Sequence, residues 1–278
     1  MVSLPSKWVK KYGVKKGDAL ELDENGSELS IRTSKATTSE DLVLKINEPS
    51  LIRRYLNSAY IEGHNKIKIN SDSSLDINKI MRELELLTGY EVIEHSEKSC
   101  TIHNVAETIE DKFDSMFRRL FLINISLGKD SHDALSKNQI SRLREISSLE
   151  RMNNKLTFLC LRILNKRGYK DYKKVNLLFT IINDLELIAD SYRDLFNELI
   201  KIKNIKLDRK VLDIYSTIPD LLEMLYYSIN NFDEKRIVNI KERRRNLYQN
   251  LLSLTKNEQL ISMHLLFILR LISDIELS

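Results

Sequence analysis

Between Lys170 and Lys203, apolar residues recur at Leu178, Ile182, Leu185, Ala189, Tyr192, Phe196 and Leu199. The steps alternate between four and three, so these side chains form one stripe along a helix. A lone amphipathic helix cannot bury such a stripe, and the chain must therefore supply partner helices. Beside the stripe runs a polar row of Asn183, Glu186, Asp190, Arg193 and Asn197. Glu186 and Asp190 lie four apart and share a face. Two carboxylates bordering a buried seam are either a solvated edge or a site for a hard metal.

The length of 278 residues accommodates two or three domains. Hydrophobic residues make up 42% and charged residues 30%, enough to build a core and keep a hydrated surface. Three prolines and seven glycines favour long helices over an all-β architecture. A formal charge of only +4 does not demand a nucleic-acid partner, so that case rests on where the charge lies. Cys100 and Cys160 lack CxxC spacing and read as reduced, buried thiols of a cytoplasmic protein. Residues 1–17 carry five lysines and no apolar signal-peptide core. The best apolar run, Leu265 to Ile272, is interrupted by Arg270, which argues against a membrane span.

Residues 1–35 change character every few positions. A strand fragment at Val2 to Leu4, a short helix at Ser6–Tyr12 led by Pro5, and a hairpin are expected. The hairpin strands are Ala19 to Leu22 and Glu28 to Arg32, with the turn at Glu24-Asn25-Gly26-Ser27. This unit is too small to own a core and should dimerise or lean on another surface. Lys7, Lys10, Lys11, Lys15 and Lys16 all precede the first acid, Asp18. In a two-fold dimer they would double into a surface able to contact phosphates; otherwise they are a solvated cluster. Residues 36–40 read as a polar connector. Strands at Leu42–Ile46, Lys66–Ile69, Glu91–Glu94 and Ser99–Ile102, with helices at Pro49–Glu62 and Ile77–Thr88, predict a small α/β layer over 36–104. No phosphate-binding glycine loop occurs in it. His64, His95 and His103 are scattered edge residues. From Val105 onward the chain reads as helices over 105–128, 134–167, 171–203, 209–231, 234–255 and 258–277, with Gly128 and Gly168 among the joins. The fold class expected is α+β, mainly α and multi-domain, with helical repeats over 105–204 and 205–278.

The run SLPSKWVKKYGVKKGDALEL, followed by a turn and SELSI, resembles the AbrB/SpoVT type of DNA-binding domain, in which two chains interleave hairpins into one barrel. Family members carry a further strand before the SLP segment, whereas here Met1-Val2-Ser3 leads directly into it, so that strand is expected to be missing. The helical half resembles PhoU proteins, regulators of phosphate uptake built as two tandem three-helix bundles, through LERMNNKLTFLCLRILN (149–165) and INDLELIADSYRDLF (182–196). The combination is similar to an archaeal type of phosphate regulator. It implies a dimeric regulator binding double-stranded DNA or, alternatively, a dimeric adaptor docking on a phosphate transporter or signalling protein.

The PhoU resemblance also implies acid-xxx-acid pairs that hold iron or zinc. In the first repeat Glu186-xxx-Asp190 keeps the pattern, and Glu150-xxx-Asn154 replaces one acid by an amide, so the implied set is Glu150, Asn154, Glu186 and Asp190. In the second repeat Arg270-xxx-Asp274 puts a cation where an acid is wanted, and Glu242-xxx-Asn246 is a loose counterpart. Arg244 falls within the apolar stripe of Ile237, Ile240, Leu247, Leu251 and Leu254 and needs a carboxylate partner. Arg270 and Arg244 are expected to supply by salt bridging the charge a metal would bring. The run Lys241–Arg245 reads as a solvated face or a surface for an anionic partner. No Walker loop, nucleophile elbow, HExxH or kinase signature is present, and no enzymatic activity is expected.

Overall fold

A computed structural model describes residues 3–25, 28–33, 41–106, 112–202, 207–254 and 258–277. Its first unit is held by turns and one hairpin. Pro5 precedes α1 (Ser6–Lys11), and Gly13 and Gly17 turn the chain at φ of 58° and 97°, where a side chain would be strained. β1 (Leu20–Asn25) pairs antiparallel with β2 (Glu28–Thr33). Glu24 and Asn25, expected in the turn, extend β1 instead. Ser3 and Leu4 form no strand; Val2, Gly26, Ser27 and the connector at 36–40 lie outside the described residues. Because Leu22 stands opposite Ile31, residues Leu20, Leu22, Leu29 and Ile31 share one face of the hairpin. That face is poorly covered: Leu22 is 62% and Leu29 50% exposed, Leu20 and Ile31 are half-buried, and no residue of this head whose side chain is described is buried.

The second unit has a core of its own. β3 (Leu42–Lys45), a 3-10 turn at Pro49–Leu51, α2 (Ile52–Ile61) and β4 (Lys66–Asn70) make a parallel β–α–β crossover. α3 (Ile77–Leu84), capped by Asp76, leads to β5 (Tyr90–His95) and β6 (Ser99–Asn104). The sheet order is β3-β4-β6-β5, with β6 antiparallel to both neighbours. Alternation places Ile67 and Ile69 on one face, where Ile52, Leu56, Ala59 and Tyr60 of α2 and Ile80 and Leu84 of α3 cover them.

The remaining described chain consists of α4 (Phe113–Ser136), α5 (Arg142–Arg167), α6 (Val175–Leu199), α7 (Arg209–Asn230), α8 (Glu234–Leu252) and α9 (Gln259–Leu277), apart from one 3-10 turn at Tyr172–Lys174. All seven residues of the sequence stripe on α6 are buried. α4, α5 and α6 pack on one another, as do α7, α8 and α9. The first helices of the two groups, α4 and α7, meet side by side, and so do the third helices, α6 and α9. One apolar core runs through all six. The chain is thus mainly helical with a small four-stranded sheet.

Gly128 corrects the expected end of the first long helix. It lies inside α4, and the join falls instead after Ser136, with Asn138 at φ 55°. A β-carbon at Gly128 would come within 2.8 Å of Tyr192 Oη and 3.1 Å of Pro219 Cγ. The glycine serves the close approach of α4 to α6 and α7, not a break.

Candidate functional site

The five lysines of the head are all exposed. Asp18 accepts from Lys15 N at 2.7 Å and closes the turn between them. Trp8 packs on Tyr12 with ring centroids 5.2 Å apart and belongs to neither apolar core.

The acids of the helical half converge on the α5–α6 seam. Glu150 and Asn154 lie four apart on α5, and Asp190 and Arg193 three apart on α6, so each pair faces the other helix. Arg193 Nη1 donates to Glu150 Oε1 at 2.7 Å and to Asp190 Oδ1, while Nη2 reaches Asp194 at 3.0 Å. Asn154 Nδ2 donates to the same Glu150 oxygen at 2.6 Å. Burial works against the guanidinium's charge, but Asp194, Asp190 and Glu150 together raise its pKa and hold it protonated. Glu186 stands one turn back along α6. Burial, then Asp190 and Glu150, push its carboxyl up to about 7, against the pull of Arg193 and of Arg53 from α2. Asp190 is also raised, by burial first and by Glu150, despite Arg193.

This set does not fit iron or zinc. The Arg193 guanidinium bridges Glu150 and Asp190 where an ion would have to bridge them. Asn154 presents its NH2, not its oxygen, to Glu150. Among the described residues no group of three or more His, Cys, Asp or Glu is arranged to hold a metal. The structure therefore brings Glu150, Asn154 and Asp190 together, with Glu186 beside them, around an arginine that the implied ligand set omits.

The second seam, α8–α9, carries the same device with the charges exchanged. Arg244 Nε donates to Glu276 Oε2 at 3.1 Å, and the Glu276 side chain is only 5% exposed. Arg244 thus meets a carboxylate, as its place in the apolar stripe requires. Arg270 does not join it: its side chain is 73% exposed and pairs along its own helix with Asp274 at 3.3 Å. An arginine at that register lies on the solvent side of α9, away from the seam. Glu242 and Asn246 are likewise exposed. Elsewhere, at the α6–α9 contact, Asp184 is buried with Oδ2 unpartnered, and burial, with Asp274 adding, pushes it up to about 6.

A further charged group joins the α/β layer to the helices. Arg162 of α5 is buried. Its Nη1 donates to the Tyr60 carbonyl at 2.7 Å and its Nη2 to Asn65 Oδ1 at 2.9 Å. The guanidinium carbon sits 4.7 Å from the Tyr60 ring centroid and 5.3 Å from that of Tyr90. These rings pack edge to face, and their hydroxyls donate to the carbonyls of Thr88 and His64. Nearby, Asn165 Nδ2 donates to the Ile61 carbonyl at 2.8 Å. A β-carbon at Gly63 would lie 2.5 Å from Lys166 Cγ, so the turn after α2 presses directly on α5. The sequence carried a signal for this joint: Arg162 interrupts the apolar run LTFLCLRIL. Its partners, two tyrosines and a backbone carbonyl about a hundred positions upstream, carried none.

No family model, curated protein or solved structure matches the chain. No described helix is long and apolar enough to cross a membrane.

Proposed function

We propose that the chain is a dimeric DNA-binding regulator of the phosphate-uptake type, whose helical half responds to a partner and whose head contacts DNA. One observation carries the reading. The hairpin leaves Leu22 and Leu29 uncovered while five lysines of the same small unit face solvent. A two-stranded hairpin without a core is marginal in water, so a second copy is its natural cover. Pairing two heads about a two-fold axis buries the leucines and doubles the lysines into one basic surface. The grouping of α4–α6 and α7–α9 is compatible with two PhoU-like repeats, and Arg193 between Glu150 and Asp190 supports a version in which an arginine takes the place of a metal. Regulation would then act through the spacing of the two heads.

A gel-shift titration at low salt tests this with random duplex and with the DNA upstream of the protein's own gene. Retardation that weakens steeply with salt, and is lost in Lys10→Glu/Lys11→Glu, is the expected result. No retardation of either duplex at low salt would refute the DNA role. A second reading, a dimeric adaptor docking its helices on a transporter or signalling protein, is favoured by the outer face of α8.

A further inference from the structure

The exposed side of α8 has an order of its own. Val238, Lys241, Arg245, Tyr248 and Leu252 follow one another at steps of three, four, three and four. That spacing places them on one face, and all five are exposed. The helix already spends a different stripe, Ile240, Leu247 and Leu251, on the core. Arg244 reaches Glu276 on α9, and the Leu251 carbonyl accepts from Ser262 Oγ at 2.9 Å. Each stripe residue Arg245 and Leu252 comes one position after those contacts, a rotation of about 100° toward solvent. The stripe therefore borders the α8–α9 seam on its outer side. Met263, which follows Ser262, is also exposed, at 58%.

We infer that this stripe is a docking seam for an acidic amphipathic helix of a partner protein. Its periodicity matches the way one helix reads another, through anchors at i, i+3, i+4 and i+7. Val238, Tyr248 and Leu252 are each about half exposed and would be the anchors. Lys241 and Arg245 lie between them, and no ion pair is formed by either among the described residues. Two unpaired cations inside an apolar seam select against a second copy docked by the same stripe, because an antiparallel pair centred on Arg245 would oppose like charges. They select for carboxylates on the incoming helix. The inference does not depend on the head, and it stands or falls separately from DNA binding.

The test uses the full-length protein and two labelled synthetic peptides about three heptads long. Both carry leucines at a and d; one has glutamate and the other lysine at the flanking positions. Fluorescence anisotropy should show binding of the acidic peptide only, weakening with salt. Lys241→Glu/Arg245→Glu should reduce that affinity by roughly tenfold or more, and Tyr248→Ser should reduce it without changing the salt dependence. Equal binding of both peptides, or an unchanged affinity in the charge-reversed variant, would overturn the inference. So would charge-dependent binding found only to vesicles of phosphatidylglycerol, which would make the face a lipid surface.

Discussion

Removing the Arg162 guanidinium should uncouple the α/β layer from the helices. In Arg162→Ala the Tyr60 carbonyl keeps only the donor of the adjoining turn, Gly63 N at 3.0 Å, Asn65 Oδ1 is left to Lys166 Nζ at 3.2 Å, and the Tyr60 and Tyr90 ring faces lose their cation. Hydrogen bonds made by a charged group contribute about 1.5–3 kcal/mol each. A desolvated cation–π contact adds about 2 kcal/mol. Against these stands the cost of keeping the charge out of water, several kcal/mol. The net loss should be about 1–4 kcal/mol, since the variant removes the charge itself and leaves only neutral acceptors behind. Its form matters more than its size. The layer and the helices have separate apolar cores, so the loss should fall on the joint and not on either interior. Urea unfolding followed by circular dichroism should split into two transitions, the layer opening first. Hydrogen exchange should quicken in 66–104 while α6 stays protected. Arg162→Lys should behave much like alanine, because an ammonium cannot span both acceptors and lie flat between two rings. A single transition, with less than about 1 kcal/mol lost, would refute the account of Arg162 as the joint.

Glu186→Gln should stabilise the protein at pH 8. The folded carboxyl titrates near 7 against an ordinary value of 4.5, so the native state holds its proton more tightly. That preference contributes most below pH 4.5 and is lost as pH rises to about 7. The variant's gain should therefore be on the order of 2 kcal/mol at pH 8, after allowance for partial exposure, and vanish by pH 4.5, as thermal melts across that range would show. Arg193→Met should destabilise by about 3 kcal/mol at pH 8, since it leaves Glu150 and Asp190 facing each other, and acid should recover part of the loss. If Arg193 already supplies the bridging charge, iron or zinc added to the wild type should leave its melting temperature unchanged. A shift of several degrees would contradict that. Gly128→Ala should cost about 1–3 kcal/mol through overpacking against Tyr192 and Pro219, measurable by urea titration.

What the sequence disclosed, and what it withheld, follows from the range of each interaction. The α6 stripe and the alternating Ile67 and Ile69 were legible because periodicity is local and burial acts on it directly. The layer's strands and helices stood within a few residues of their expected bounds for the same reason. Gly128 misled because a glycine reads alike whether it ends a helix or admits a neighbour, and Tyr192 and Pro219 lie far along the chain. At the seam, Glu150 and Asp190 were recognisable as acids, but which cation would reach both depends on the register of α5 against α6. Arg193 was visible only as one member of a polar row. Arg270 and Arg244 looked equivalent in one dimension; a rotation around two different helices put one in solvent and the other against Glu276.

The placement of these groups on α5 bears on how a signal could travel. Glu150 and Asn154 hold its acid–arginine seam with α6, and Arg162 holds its joint with the layer. Twelve residues of one helix separate Glu150 from Arg162, about 18 Å along a rod. α5 forms the main helix contact with the layer, through α2, and Arg53 of α2 in turn acts on Glu186. α5 thus touches both the seam and the layer, and Arg53 of the layer lies within electrostatic reach of Glu186. Burial and the neighbouring acids push Glu186 up to about 7, so its charge is the one in the seam that changes around neutral pH. The layer stands between the helices and the head in the chain.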